Sequence, residues 1–136
     1  MASELKVDKF TGVTTAGSID VTGEGNSTTT NLQQGLLKLC ACWVGTGTPT
    51  YQDSFNASSL TDSGTGDYLV VNTNNFASTN YSVANTFQHT TSNSDCDAPA
   101  SQTDGGLTTS TRMLSFQGGV LVDPVYYNTQ IAGDLA

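Results

Sequence analysis

Basic residues are nearly missing from this chain. Its 136 residues include four Lys and Arg against twelve Asp and Glu, for a net charge of −8. A chain so short of cations cannot neutralise phosphates, which excludes a nucleic-acid footprint. An anionic membrane surface would repel it, and no apolar run approaches the ~20 residues of a membrane-spanning helix. Histidine is limited to His89 and tryptophan to Trp43. The opening MASELKVDKFTG carries Glu4, Lys6, Asp8 and Lys9 and has no apolar stretch. It does not read as a secretory signal, and folding in a cytosol is expected. The three cysteines agree with that compartment. Their number is odd, and Cys40 and Cys42 are too close for an ordinary bridge, so reduced thiols are expected.

What fills the chain instead is Ser and Thr, about a quarter of all positions, with 14 Gly and many Asn. This composition favours short strands and turns over helices. The length suits one domain. The expected fold class is mainly β, a small antiparallel β-sandwich over 40–136, preceded by an extended N-terminal assembly segment (1–28) and one short helix (29–39). In the first segment Leu5/Val7 and Ile19/Val21 are spaced by two, as in strands, but too sparsely to form a core alone. The helix is expected from Leu32, Leu36 and Leu39 and from a capping box with Thr30 as N-cap and Gln33 three residues on. Gly35 weakens it by about 1 kcal/mol relative to Ala.

From Cys40 onward the signals are those of strands. Leu39, Ala41 and Trp43 alternate with Cys40, Cys42 and Val44, which suits a strand apolar on both faces. Strands are also expected over Tyr51–Phe55, Ala57–Leu60, Asp67–Asn72, Asn80–Phe87 and Leu107–Gln117. A Gly118-Gly119 hairpin turn follows. Val125, Tyr127, Thr129 and Ile131 then alternate strictly, with Pro124 pointing to an edge or a bulge. His89–Gly106 reads as a long polar insertion without periodicity.

No chemistry emerges from the motifs. His89 lies in QHTTSNSD, with nothing to hold and orient an imidazole, and reads as an exposed loop histidine. Cys40-Ala41-Cys42 lacks zinc-ligand spacing and a second pair. Asp95, Asp97 and Asp104 could gather a hard cation, but the ordered loop with a terminal Glu is missing, so they read as a solvated acidic loop. Asp53, Asp62, Asp67 and Asp123 are explained by turn positions. The sequons at Asn26, Asn56 and Asn80 are what a Ser/Thr-rich chain produces by chance. The aromatic residues read mainly as packing residues, because most hold alternating strand positions. Neither cofactor nor metal is expected, nor an enzyme.

The block D53-S-F-N-A-S-S-L-T-D-S-G-T-G-D-Y-L-V-V-N, with N80-Y-S-V after it, resembles a segment of virion appendage proteins of tailed bacteriophages. These are tail-fibre-like or capsid-fibre structural proteins, notably of podoviruses of cyanobacteria and other marine bacteria. Ser3–Val7 and Gly133–Ala136 are similar more weakly. The resemblance implies a non-enzymatic virion component, assembled in the host cytoplasm. It implies a homotrimer whose N-terminal segment joins other virion proteins and whose β domain faces outward. A capsid decoration protein and a polysaccharide-degrading spike are the alternatives. Long polar loops on rigid β scaffolds carry recognition. The expected contact with a host surface glycan or protein is therefore the loop bearing His89, Asp95, Asp97 and Asp104.

Overall fold

The computed structural model describes residues 5–12, 19–22, 29–89, 97–101 and 107–133. The chain divides into two compact units, Met1–Leu36 and Leu37–Ala136. In the first, β1 (Asp20–Thr22) pairs antiparallel with β2 (Thr29–Asn31), and one helical turn, α1 (Leu32–Gly35), follows. The amide of Leu32 extends the ladder to the carbonyl of Ile19 at 2.8 Å. Leu5 and Val7 lie outside any strand.

The helix expected over 29–39 is therefore much shorter. Thr30, the expected cap, is in β2, and Leu37 already begins β3 (Leu37–Val44). Two effects account for this. Gly35 weakens the helix interior, and a helix of two or three turns is marginal without docking. The alternation Leu39, Ala41, Trp43 starts early enough to draw its own N-terminal end into the sheet, where Leu39 and Trp43 are fully buried. Burying a leucine side chain contributes roughly 1.5–3 kcal/mol, more than the local helical preference.

The second unit is the β-sandwich. Its first sheet has the order β4 (Thr50–Phe55), β3, β11 (Tyr126–Ala132), β7 (Ser82–Gln88), all antiparallel. The other sheet holds β5 (Ala57–Gly64), β6 (Asp67–Asn72) and β9 (Ser110–Gln117) in that order. Both β10 (Val120–Leu121) and β8 (Asp97–Ser101) pair with β9. The inner faces meet in one core. Leu39, Ala41, Trp43, Phe87, Tyr127 and Ile131 come from the first sheet, and Tyr68, Val70 and Met113 from the second.

Turn chemistry fixes the hairpins. Gly118 and Gly119 have φ of 58° and 79°, which the two-residue turn between Gln117 and Val120 requires. Thr65-Gly66 joins β5 to β6, and Gly66 has φ of 66°. Pro124 differs from expectation: it precedes β11, which is a central strand flanked by β3 and β7. The proline lies in the crossing between sheets, so its missing N–H costs no ladder bond. Within the expected insertion, β8 forms a short strand. Its register shifts between Asp97 and Ala100, where Pro99 interrupts donation.

The chain passes between sheets at Asn56, between β4 and β5. Asn56 has a positive φ of 58°, a conformation that Asn tolerates better than most residues. Its amide donates to the carbonyls of Lys38 (2.9 Å) and Asn74 (3.1 Å), and its Oδ1 accepts from the amide of Asn74 at 2.7 Å. One side chain thus ties the crossing to β3 and to the 73–81 connection. Replacing Asn56→Ala should destabilise the protein by about 2–3 kcal/mol, from lost hydrogen bonds and left-handed strain together. Asn56→Gly should recover part of that loss, and urea unfolding of both variants measures the two contributions. Equal losses in the two variants would mean that backbone strain plays no part.

Candidate functional site

Of His89, Asp95, Asp97 and Asp104, the side chain of His89 alone falls among those described. His89 follows β7 directly and is half-buried rather than fully exposed. Its Nδ1 is buried, and among the described residues nothing hydrogen-bonds to it. Asp97 is the first residue of β8, opposite Phe116 on β9, and its side chain lies outside the described residues. Asp95 and Asp104 also lie outside them. Among the described residues, no three His, Cys, Asp or Glu side chains gather closely enough to hold a metal ion.

A polar cluster lies where the end of β3, the β5–β6 turn and the crossing before β11 meet. The Tyr68 hydroxyl is 3.0 Å from both the Gly45 carbonyl and Asp123 Oδ1. Asp123 Oδ1 also accepts from the Gly66 amide at 2.7 Å. The Gly45 amide donates to the Pro124 carbonyl at 2.9 Å, and the Ser115 amide to the Gly66 carbonyl at 2.9 Å. Ser115 Oγ donates to the Val122 carbonyl at 2.7 Å. Glycine is required here by close approach. A Cβ on Gly45 would lie 2.5 Å from the Tyr68 hydroxyl, and one on Gly66 would lie 2.7 Å from the Val122 amide nitrogen.

Chemically this cluster pins backbone together. The contacts of Asp123 hold a turn and a tyrosine. Beside it, Arg112 grips Asp67 with both nitrogens of one edge of its guanidinium, Nε lying 2.8 Å from Oδ1. Arg112 remains 42% exposed, so screening holds this pair to about 1 kcal/mol or less. Composition alone could not reveal these partners, because Asp67 and Asp123 read as turn residues. Asp62 does fit that reading: its Oδ1 accepts from the Gly64 amide two residues on.

The sequons also find a structural answer at one position. The Asn56 amide that a glycan would occupy already donates to two backbone carbonyls. Cys40 and Cys42 are free and half-exposed. They project from the outer face of β3, opposite Phe55 and Asp53 of β4. Cys96 lies outside the described residues.

Compared with known protein families, with curated proteins and with solved structures, the chain matches none.

Three tyrosines are perturbed in one direction. Burial pushes Tyr51 up to about 12. Tyr127 is raised by burial, and Tyr68 is raised by burial and then by its hydrogen bond to Asp123. A neutral tyrosine favoured in the folded state contributes stability that is complete below the unfolded value of 10.0 and lost above it. There the unfolded chain releases protons that the folded chain retains. Stability should therefore fall steeply between pH 10 and 12, with these phenols ionising only as the protein unfolds. Absorbance titration beside circular dichroism tests this. Ionisation of all tyrosines with the fold intact would contradict it.

Proposed function

We propose that this chain is a non-enzymatic structural protein of a tailed-phage virion, a tail-fibre-like appendage that assembles as a homotrimer. The observation that carries the reading is the unequal state of the two units. The sandwich closes a core around Trp43, Tyr68 and Tyr127. The N-terminal unit leaves Leu5, Val7, Phe10 and Val21 open to solvent. Such a segment gains its stability by burial against another surface, which suits attachment to other virion proteins.

Three further observations support it. The similarity of Asp53–Val83 to phage appendage proteins falls on scaffold: β4, β5, β6 and the connection that Asn56 ties down. The polar clusters of the sandwich hold backbone crossings in place, which is work for a rigid support. Polar residues dominate the insertion after His89, the segment proposed to meet a host surface glycan or protein through His89, Asp95, Asp97 and Asp104.

Antibodies against the purified chain test the reading directly. On particles produced by the host that expresses this sequence, gold label is expected on the tail. Label on the head would reassign the chain to shell decoration, and particles without label would overturn the virion role. In the same system, deleting residues 90–105 should spare assembly and alter adsorption to the host. Unchanged adsorption would remove that loop from host contact.

A further inference from the structure

The outer face of the four-stranded sheet carries exposed side chains. Cross-strand pairing places Leu37 opposite Ala132, Phe55 opposite Cys40 and Asp53 opposite Cys42. Leu37, Phe55 and Tyr126 are 46%, 56% and 45% exposed. Their outward neighbours on β11 and β7, Asn128, Gln130 and Thr86, are neutral. The exposed charge on this face, among the described residues, is Asp53. At one end of this face Leu37, Cys40 and Phe55 adjoin, with Asp53 at their side, and this selects an apolar segment that carries a cation.

Such a segment exists in the same sequence. Residues 5–12 read LKVDKFTG, and Leu5, Val7 and Phe10 are 73%, 48% and 62% exposed. Two lysines against one aspartate give the segment a net charge of +1. Residues 37–136 hold two cations, Lys38 and Arg112, against eight aspartates, a net charge of −6. The spacing agrees as well. Alternate residues of a strand are about 6.6–6.8 Å apart. As a strand, the segment would present Leu5, Val7 and Lys9 on one side, at the same interval that separates Phe55 from Asp53 and Cys40 from Cys42.

We propose that residues 5–12 of one copy dock on the outer face of the β4-β3-β11-β7 sheet of a second copy. Val7 lies against Phe55 and Cys40, and Lys9 lies beside Asp53. This rests on one part of the functional reading, that copies of the chain associate, and does not depend on a virion.

Cysteine trapping tests it with the full chain. A chain carrying Val7→Cys with Cys40→Ser, Cys42→Ser and Cys96→Ser is co-expressed with the unmodified chain and mildly oxidised. The new thiol has no partner in its own chain, so a disulfide from position 7 to Cys40 or Cys42 joins two copies. That link is the expected product in peptide maps. A Leu5→Asp, Val7→Asp chain should sediment as a monomer of 14.2 kDa with an unchanged circular dichroism spectrum. A monomeric unmodified chain would overturn both the association and the docking. An oligomer without the 7–40 or 7–42 link, or one that survives the aspartate substitutions, would overturn the docking alone.

Discussion

The indole of Trp43 lies nearly parallel to the ring of Tyr127, with centroids 4.4 Å apart. The register of the sheet extends this contact into a row. Tyr51 of β4 is paired with Trp43 of β3, Trp43 with Tyr127 of β11, and Tyr127 with Phe87 of β7. Each strand of the sheet contributes one aromatic ring to a single transverse line. Tyr68 reaches across from the other sheet and meets Trp43 edge-on at 6.0 Å. Aromatic pairs of this kind contribute about 0.5–1.5 kcal/mol each beyond their buried area. Among the described residues the indole N–H has no acceptor, a cost of about 1–3 kcal/mol that the surrounding packing must offset.

This row places the polar devices where they are needed. The same Tyr68 ring that covers Trp43 carries its hydroxyl to Gly45 and Asp123, so the core contact and the end of the sandwich are set by one side chain. Asn56 does comparable work at the β4–β5 crossing. Loops that change sheets leave backbone groups without ladder partners, and buried groups of that kind must be satisfied elsewhere. The carbonyl of Asn74, between β6 and β7, receives a side-chain donor for this reason, and those of Lys38, at a register shift of β3, and Gly45, just after β3, receive donors as well. The connection after β6 is held similarly, with the Phe76 amide bonded to the Thr108 carbonyl and its ring stacked on Tyr81 at 4.7 Å. Asp53–Val83 thus carries much of the inter-sheet stitching.

The mainly β class was legible in the sequence because alternation has a direct physical cause. Thr129 and Ile131 fall inward on β11 and Asn128 and Gln130 outward, as a period of two demands. The helix was legible only in type. Leu32, Leu36 and Leu39 fit a helical stripe, while Leu39 also belongs to the alternating run that ends at Trp43, and tertiary burial decided between them. Pairings remote in sequence left no local signal. Arg112 and Asp67 are 45 positions apart, and Asp123 and Tyr68 are 55 apart. No motif encodes such meetings, because register brings them about. The candidate contact loop was visible only as polar composition, and of its named side chains that of His89 falls among those described.

Under the proposed assembly, the sandwich with its closed core is the part that holds its own shape. That account depends on the sandwich being a rigid unit locked by the aromatic row. Urea unfolding of Trp43→Ala, followed by far-ultraviolet circular dichroism, tests it most directly. Truncation of a buried tryptophan costs about 3–5 kcal/mol, and the account predicts a loss of at least about 3 kcal/mol in one cooperative transition. A loss under about 1 kcal/mol, outside the range for a buried aromatic truncation, would contradict it.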